Sequence, residues 1–284
     1  MTLLVQTNDV EPAARLLPQD LLVTLLGNEL LHGPGQLVWS GGLVSILGEV
    51  GFSTSASRAA LGRLVQRGVL IRERDGREAY YRLSDRTAAR LTEDERRLLA
   101  FDTSTETTGT WTLLTYAVGS DRRAERDRLR RRLSFLGYGS TGDATWLAVG
   151  DRVADTDAVV RDLGLSADVD VFIGRPALST DVDALITRAW PHLHALAERY
   201  AAFAERWHHG GPDLDPLVAR LLLMHEWREF ASSDPGLADV YLPWAGVRSA
   251  AQSTFHLHWH RLAPAAAADF AQRCRVPIPA TTTP

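Results

Sequence analysis

A chain of 284 residues with 45% hydrophobic content has room for roughly two or three domains with real cores, and its net charge of -4 excludes a uniformly basic nucleic-acid binder. The single cysteine, Cys274, excludes a disulfide framework and a cysteine-based zinc site. No apolar run approaches the length of a membrane span, and no basic stretch leads into an apolar one at the N-terminus, so a cytoplasmic protein without a secretory signal or membrane partner is expected.

The first apolar-periodic segment is Leu16 to Leu31, with Pro18 at its start and the breakers Gly33, Pro34 and Gly35 behind it. Leu37 to Trp39 reads as a short strand and Gly42 to Val50 as a second helix, with Gly51 and Phe52 turning the chain. Ser53, Thr54 and Ser55 then open a third helix as cap residues, and Leu61, Leu64 and Val65 form its apolar stripe. That stripe leaves Ser55, Arg58, Ala59, Gly62 and Arg63 on the opposite face. Gly68 closes the helix. Two strands follow, Val69 to Arg74 and Ala79 to Leu83, joined at the tight turn Asp75-Gly76. Asp85 to Ala100 resumes a helical pattern, with Thr92 and Glu95 spaced as a capping box, and Thr103 to Gly109 reads as a linker.

Helix, glycine stop and hairpin are the layout of a winged helix-turn-helix, which points to DNA binding. Small residues let a reading helix sit deep in the major groove, where base edges are exposed. Thr54, Ser55, Arg58 and Arg63 are the candidates on that helix, and Arg74 and Arg77 the candidates in the wing, with Arg72 beside them. An ordinary helix and hairpin within an α/β core is the bland alternative. Charge distribution argues against it: residues 1 to 52 hold one Arg and five acids, a balance of -4, whereas residues 53 to 90 hold nine Arg and four acids, a balance of +5. Every cation of the chain is Arg; this suits bidentate phosphate and guanine contacts, and it equally fits a composition bias of the source genome.

Trp111 to Val118 reads as a strand, Ala124 to Leu136 as a helix, Gly137 to Ser140 and Thr145 to Val149 as strands, Val153 to Leu163 as a helix and Val169 to Ile173 as a last strand. The order β-α-β-β-α-β predicts a ferredoxin-like domain with one sheet face left for a partner, often a second copy. Residues 121 to 132 hold seven Arg against three acids. A solvated helix face is the favoured reading, with a second phosphate contact as the alternative. From Asp181 onward the pattern is helical: Asp181 to Trp207 as one helix kinked at Pro191, a helix from Asp215 and Pro216 to about Phe230, then Ser249 to Leu262 and Pro264 to Arg273, with a disordered tail from Pro277.

Three stretches carry a resemblance that covers nearly the whole chain. They are LLVTLLGNELL with VWSGGLVSILGEVGFSTSASRAALGRLVQRGVL and REAYYRLS; WTLLTYAV with LRRRLSFLGYG; and LLLMHEWREF followed by DPGL. The chain resembles the PaaX-like repressors, named for phenylacetate catabolism. The resemblance implies a dimeric bacterial transcriptional repressor; the reading helices of such a homodimer are expected to enter successive major grooves of double-stranded DNA at an inverted repeat. The resemblance also implies a winged helix, a ferredoxin-like domain and a helical domain, and an effector such as an aryl or acyl coenzyme A thioester that releases the protein from DNA. By position it places Arg58 in the reading helix, Arg77 in the wing, and His225, Glu226, Trp227 and Arg228 in the ligand-side domain. The segment after Leu237 departs from the family's pattern and leads into the histidine-rich FHLHWHRL.

That helical domain also carries the alternative reading, an enzyme on a regulator fold. His225 and Glu229 are four apart on one helix, and His256 and His260 four apart on another, spacings with which facing helices build metal sites. The plainer reading is that His225 and Glu226 make buried hydrogen bonds or an ion pair with Arg228 or a neighbouring helix, with Trp227, Phe255 and Trp259 in the core. HEWRE is not the metalloprotease pattern HExxH, because Glu229 stands at the second histidine's place. No G-x-S-x-G elbow occurs, and a phosphate loop requires a lysine the chain lacks. Arg175, Arg220 and Arg228 are candidates for an effector's phosphates. The expectation is therefore an α+β multidomain regulator without a cofactor, divided into residues 1–102, 109–178 and 179–276.

Overall fold

The computed structural model describes residues 16–30, 35–99, 109–142, 144–208, 211–237 and 246–276. The expected linker up to residue 108, the tail from Pro277 and most of the departing segment after Leu237 lie outside them. In chain order the elements are α1 (Pro18–Leu30), β1 (Val38–Trp39), α2 (Ser40–Glu49), α3 (Thr54–Gln66), β2 (Leu70–Asp75), β3 (Glu78–Leu83), α4 (Asp85–Leu99), β4 (Trp111–Tyr116), α5 (Arg123–Phe135), β5 (Gly139–Gly142), β6 (Thr145–Val149), α6 (Val153–Asp162), β7 (Val169–Gly174), α7 (Val182–Ala189), α8 (Leu193–His208), α9 (Pro216–Ser233) and α10 (Val247–Cys274). The protein is an α+β multidomain chain with two small antiparallel sheets, ordered β1-β3-β2 and β5-β6-β4-β7.

Two compact units result, and they cut across the three consecutive segments read from the sequence. One takes Met1–Arg96, Leu214–His225 and His260–Pro284; the other takes Arg97–Asp213 and Glu226–Trp259. Packing explains the division. The core of the first unit gathers Leu21, Leu25, Leu43, Ile46, Leu61, Leu64, Leu70 and Leu83, and then Leu217, Leu221, Ala266, Phe270 and Cys274 from far down the chain. A Cβ at Gly42 would lie 2.4 Å from the backbone oxygen of Arg273, so only glycine lets α2 meet the end of α10 this closely. Arg273 adds ion pairs to Glu49, to Asp269 at 2.8 Å and to Asp215 at 3.5 Å.

Local chemistry sets the element ends. Ser53 caps α3 by accepting from the Ala56 N–H, and Gly68, at φ 69°, ends it as the left-handed residue of a Schellman motif in which the Val69 N–H bonds the Leu64 carbonyl at 2.9 Å. The hairpin differs by one residue from the sequence reading. Asp75 still pairs with Glu78, so the turn is Gly76-Arg77, with the positive φ at Gly76 only, as a type II′ turn requires. Thr92 does not cap a helix: it lies inside α4, and its hydroxyl donates to the Ala88 carbonyl at 3.0 Å, while Ser84 stands at the helix start.

In the second unit, α5 and α6 pack on one face of the β5-β6-β4-β7 sheet around Leu114, Tyr116, Leu129, Leu133, Trp146 and Val160. The helical part has an aromatic core, in which Tyr200 stacks on Phe230 at 4.1 Å and Trp227 on Phe255 at 4.5 Å. Two prolines depart from expectation in opposite directions. Asp181 to Trp207 is not one kinked helix, because Trp190 before Pro191 takes φ -130° and ψ 70° and separates α7 from α8. Pro264, expected to open a separate last helix, sits inside the continuous α10.

Candidate nucleic-acid interface

The apolar stripe of α3 is buried through Ala60, Leu61 and Leu64, which turns Thr54, Ser55, Arg58, Ala59, Gly62 and Arg63 to solvent. A Cβ on Gly62 would meet nothing within 4 Å, so this face is open to an approaching partner. Ser55 shares a 3.0 Å hydrogen bond with Ser53. Arg63 is steadied by α1, donating through Nε to Gln19 at 3.1 Å. Arg58 has no ion pair among the described residues. The hairpin presents Arg72, Arg74 and Arg77, all exposed, while Arg82 is turned to Glu73 at 3.1 Å and Asp85 at 3.7 Å. Sequence reasoning did not find Gln19, which lies on the polar side of an otherwise leucine-rich helix and acts across 44 residues of chain.

The candidates of the C-terminal part lie on α9 and α10. Glu226 pairs with Arg206 at 2.7 Å and receives the Trp207 indole N–H at 3.5 Å; burial pushes its carboxyl above the usual range against the pull of Arg206. Glu229 meets Arg199 at 3.4 Å, and burial likewise raises its carboxyl. Both acids therefore use partners on α8, and Trp227 is core. His225 and His260 fall in the first unit, and Glu229 and His256 in the second. Among the described residues, no group of three or more His, Cys, Asp or Glu side chains is placed to hold a metal ion. Arg228 is half-buried on α9 and Arg175 is exposed after β7, whereas Arg220 is spent on Glu29 in a pair whose side chains are 9% and 4% exposed. Burial pushes the Cys274 thiol up to about 12, which leaves it inert.

A pocket of about 370 Å³ lies elsewhere in the second unit, lined by Ser134, Tyr138, Trp146, Trp190, His192, Ser233 and Pro235 among others. Its wall is held by a buried cluster: Asp234 accepts from the Tyr200 hydroxyl at 2.8 Å and the Gly236 N–H at 2.7 Å, and pairs with Arg248 at 3.2 Å. None of the sequence candidates lines this pocket, because its residues come from separate segments that no local pattern joins.

Fold and surface define a multidomain α+β protein with an open basic face on one unit and an aromatic pocket in the other. Three family domains match it in order: PaaX-like protein over residues 18–87, PaaX protein central Cas2-like domain over 104–186, and PaaX-like protein C-terminal domain over 190–273. The chain belongs to the PaaX-like family. It is 29% identical over 263 residues to the transcriptional repressor PaaX of Escherichia coli (strain K12), covering 87% of this chain and 81% of that protein. The fold is similar to that of the uncharacterized protein Rv0674 from Mycobacterium tuberculosis, with TM-score 0.59 and 21% identity over 90% of this chain and 98% of the other.

Proposed function

We propose that this protein is a homodimeric transcriptional repressor that reads an inverted-repeat operator with α3 and releases it when a small acidic metabolite binds. One observation carries the reading: the exposed face of α3 and the adjoining hairpin combine small residues with Arg58, Arg63, Arg74 and Arg77. In this reading the first unit holds a winged helix-turn-helix, β2 and β3 forming the wing, and the βαββαβ order of the second unit is a ferredoxin-like domain. Likeness to a transcriptional repressor along most of the chain supports it.

The pocket in the second unit suits the effector's aryl or acyl part, since Tyr138, Trp146, Trp190 and Pro235 dominate its wall and no arginine lines it among the described residues. An aryl coenzyme A thioester would leave its phosphates outside. Such an effector acts only by its difference in affinity between the DNA-bound and released arrangements. The second copy is assigned to the sheet face opposite α5 and α6. There Leu147, Leu113 and Phe172 form one lateral row, and Phe172 is 56% exposed.

Fluorescence anisotropy on DNA from upstream of the protein's own gene tests the reading, at two salt concentrations and against scrambled DNA. Selective binding that weakens with salt, and release by an aryl coenzyme A thioester, are the expected results. Equal affinity for operator and scrambled DNA overturns the assignment of α3 as a reading helix.

A further inference from the structure

Among the described residues, five helices end with the same hydrogen bond, from an N–H to a carbonyl five residues back: Phe52 to Leu47, Val69 to Leu64, Tyr138 to Leu133, Leu165 to Val160 and Val276 to Ala271. This ending requires a left-handed residue just before the donor. At four of the ends that residue is glycine, namely Gly51, Gly68, Gly137 and Gly164, with φ of 99°, 69°, 85° and 67°. At the end of α10 it is Arg275, φ 53°, the one non-glycine with positive φ among the described residues. A side chain there strains the backbone where glycine would not.

The Arg275 side chain accounts for the exception. Its Nη1 donates to both carboxylate oxygens of Glu78, at 2.8 and 2.7 Å, and its guanidinium carbon lies 3.9 Å from the centre of the Trp39 ring. Tyr80, paired with Trp39 across the sheet, donates its hydroxyl to the same Glu78 at 3.0 Å. Glu78 is the first residue of β3 and follows Arg77 in the turn. Cys274, next to Arg275, is fully buried against α2, so the arginine projects from a fixed base.

We propose that Arg275 is a positioning residue for DNA recognition, clamping Glu78 so that the Gly76-Arg77 tip and its arginines are held in one pose. The clamp also neutralises a carboxylate that would otherwise repel phosphate beside Arg77. This rests on the reading of the hairpin as a DNA-contacting wing.

Arg275→Gly separates the clamp from the helix ending, because glycine is the better residue for that backbone. The variant is expected to melt at the wild-type temperature or above. It should bind operator DNA about five- to tenfold more weakly, with the slope of log affinity against log salt reduced by about one. Arg275→Lys keeps the charge but not the stacked planar group, and should bind like the glycine variant. Amide exchange at Arg77 and Glu78 should quicken in both variants, and likewise in Glu78→Gln, which leaves α10 untouched. Wild-type affinity and unchanged exchange in Arg275→Gly would overturn the proposal. If the wild type itself fails to select its operator, the repressor reading fails instead, and exchange at Glu78 still decides whether the clamp exists.

Discussion

Two arginine-rich helices, α3 and α5, occupy different units and are built on opposite plans. Around α3 the arginines are spaced by Ser55, Ala59 and Gly62, and the helix carries no acid. Around α5 the acids are interleaved: Arg123 meets Asp127 at 3.8 Å, Arg132 meets Asp162 at 2.6 Å, and Arg122, just before the helix, grips Asp168 and holds its carboxyl below the usual range. The second helix has the higher arginine density, yet its charge is partly cancelled where it stands. Its long side chains also keep any partner's backbone at a distance. What makes a reading surface is room for close approach together with uncompensated charge. A third kind of arginine, represented by Arg248 and Arg220, is buried and structural.

The comparison breaks most visibly at the buried class. Asp234→Ala leaves Arg248, whose side chain is 3% exposed, without its carboxylate, and leaves the Tyr200 hydroxyl without its acceptor. The expected loss in urea denaturation followed by tryptophan fluorescence is roughly 3–5 kcal/mol. A loss near zero would place Arg248 with the surface arginines. Next in size is Arg58→Ala, which should leave unfolding unchanged and weaken operator binding by roughly 1–3 kcal/mol in the anisotropy titration. If the operator-to-scrambled ratio falls with it, Arg58 reads a base; if both affinities fall together, it touches phosphate.

Much of this contrast was legible in the sequence, and the rest was not for physical reasons. The exposed face of α3 follows from the helical period of Leu61 and Leu64, and its end from Gly68, since both signals are local; Val65, read with that stripe, is only half-buried, and Ala60 is buried in addition. The turn at Gly76-Arg77 was misplaced by one residue because Asp-Gly is a strong turn signal only where strand register permits, and register is set by Leu70 opposite Leu83. Pro191 and Pro264 are the same residue with opposite outcomes. One follows a residue in a non-helical conformation, and the other lies within a 28-residue helix supported on both sides. Leu221 and Phe270 read as ordinary helix stripes; nothing local says that they join one core with Leu25 and Leu43, some two hundred residues earlier. The pocket was invisible for the same reason.

A smaller effect sharpens the comparison through pH. Burial raises the Glu226 carboxyl above its ordinary value of 4.5, with Arg206 pulling the other way. The folded state then holds this proton more tightly than the unfolded state, so the group's contribution to stability diminishes as pH rises through that ordinary value toward the folded one. Replacing it by glutamine removes the dependence. The stability of wild type minus Glu226→Gln, from urea midpoints between about pH 4 and pH 7, should fall with rising pH. A difference that rises instead would mean that the Arg206 pair outweighs burial and that Glu226 belongs with Asp168.

The smallest expected effect is at α5. Arg128 and Arg131 lie on its solvent side, in line with Phe135, which is 63% exposed. Neither has an ion pair among the described residues, so their removal strands no buried partner. Arg128→Gln with Arg131→Gln should therefore change unfolding by less than about 0.5 kcal/mol, as surface substitutions away from caps and cores do. Operator affinity and its salt slope should stay at the wild-type values, since a solvated helix face neutralises no phosphate. A slope lowered by about two would instead count two phosphates against these side chains. In that event acids within a helix would not disqualify its basic side from touching DNA, and the distinction between α3 and α5 would rest on base reading alone.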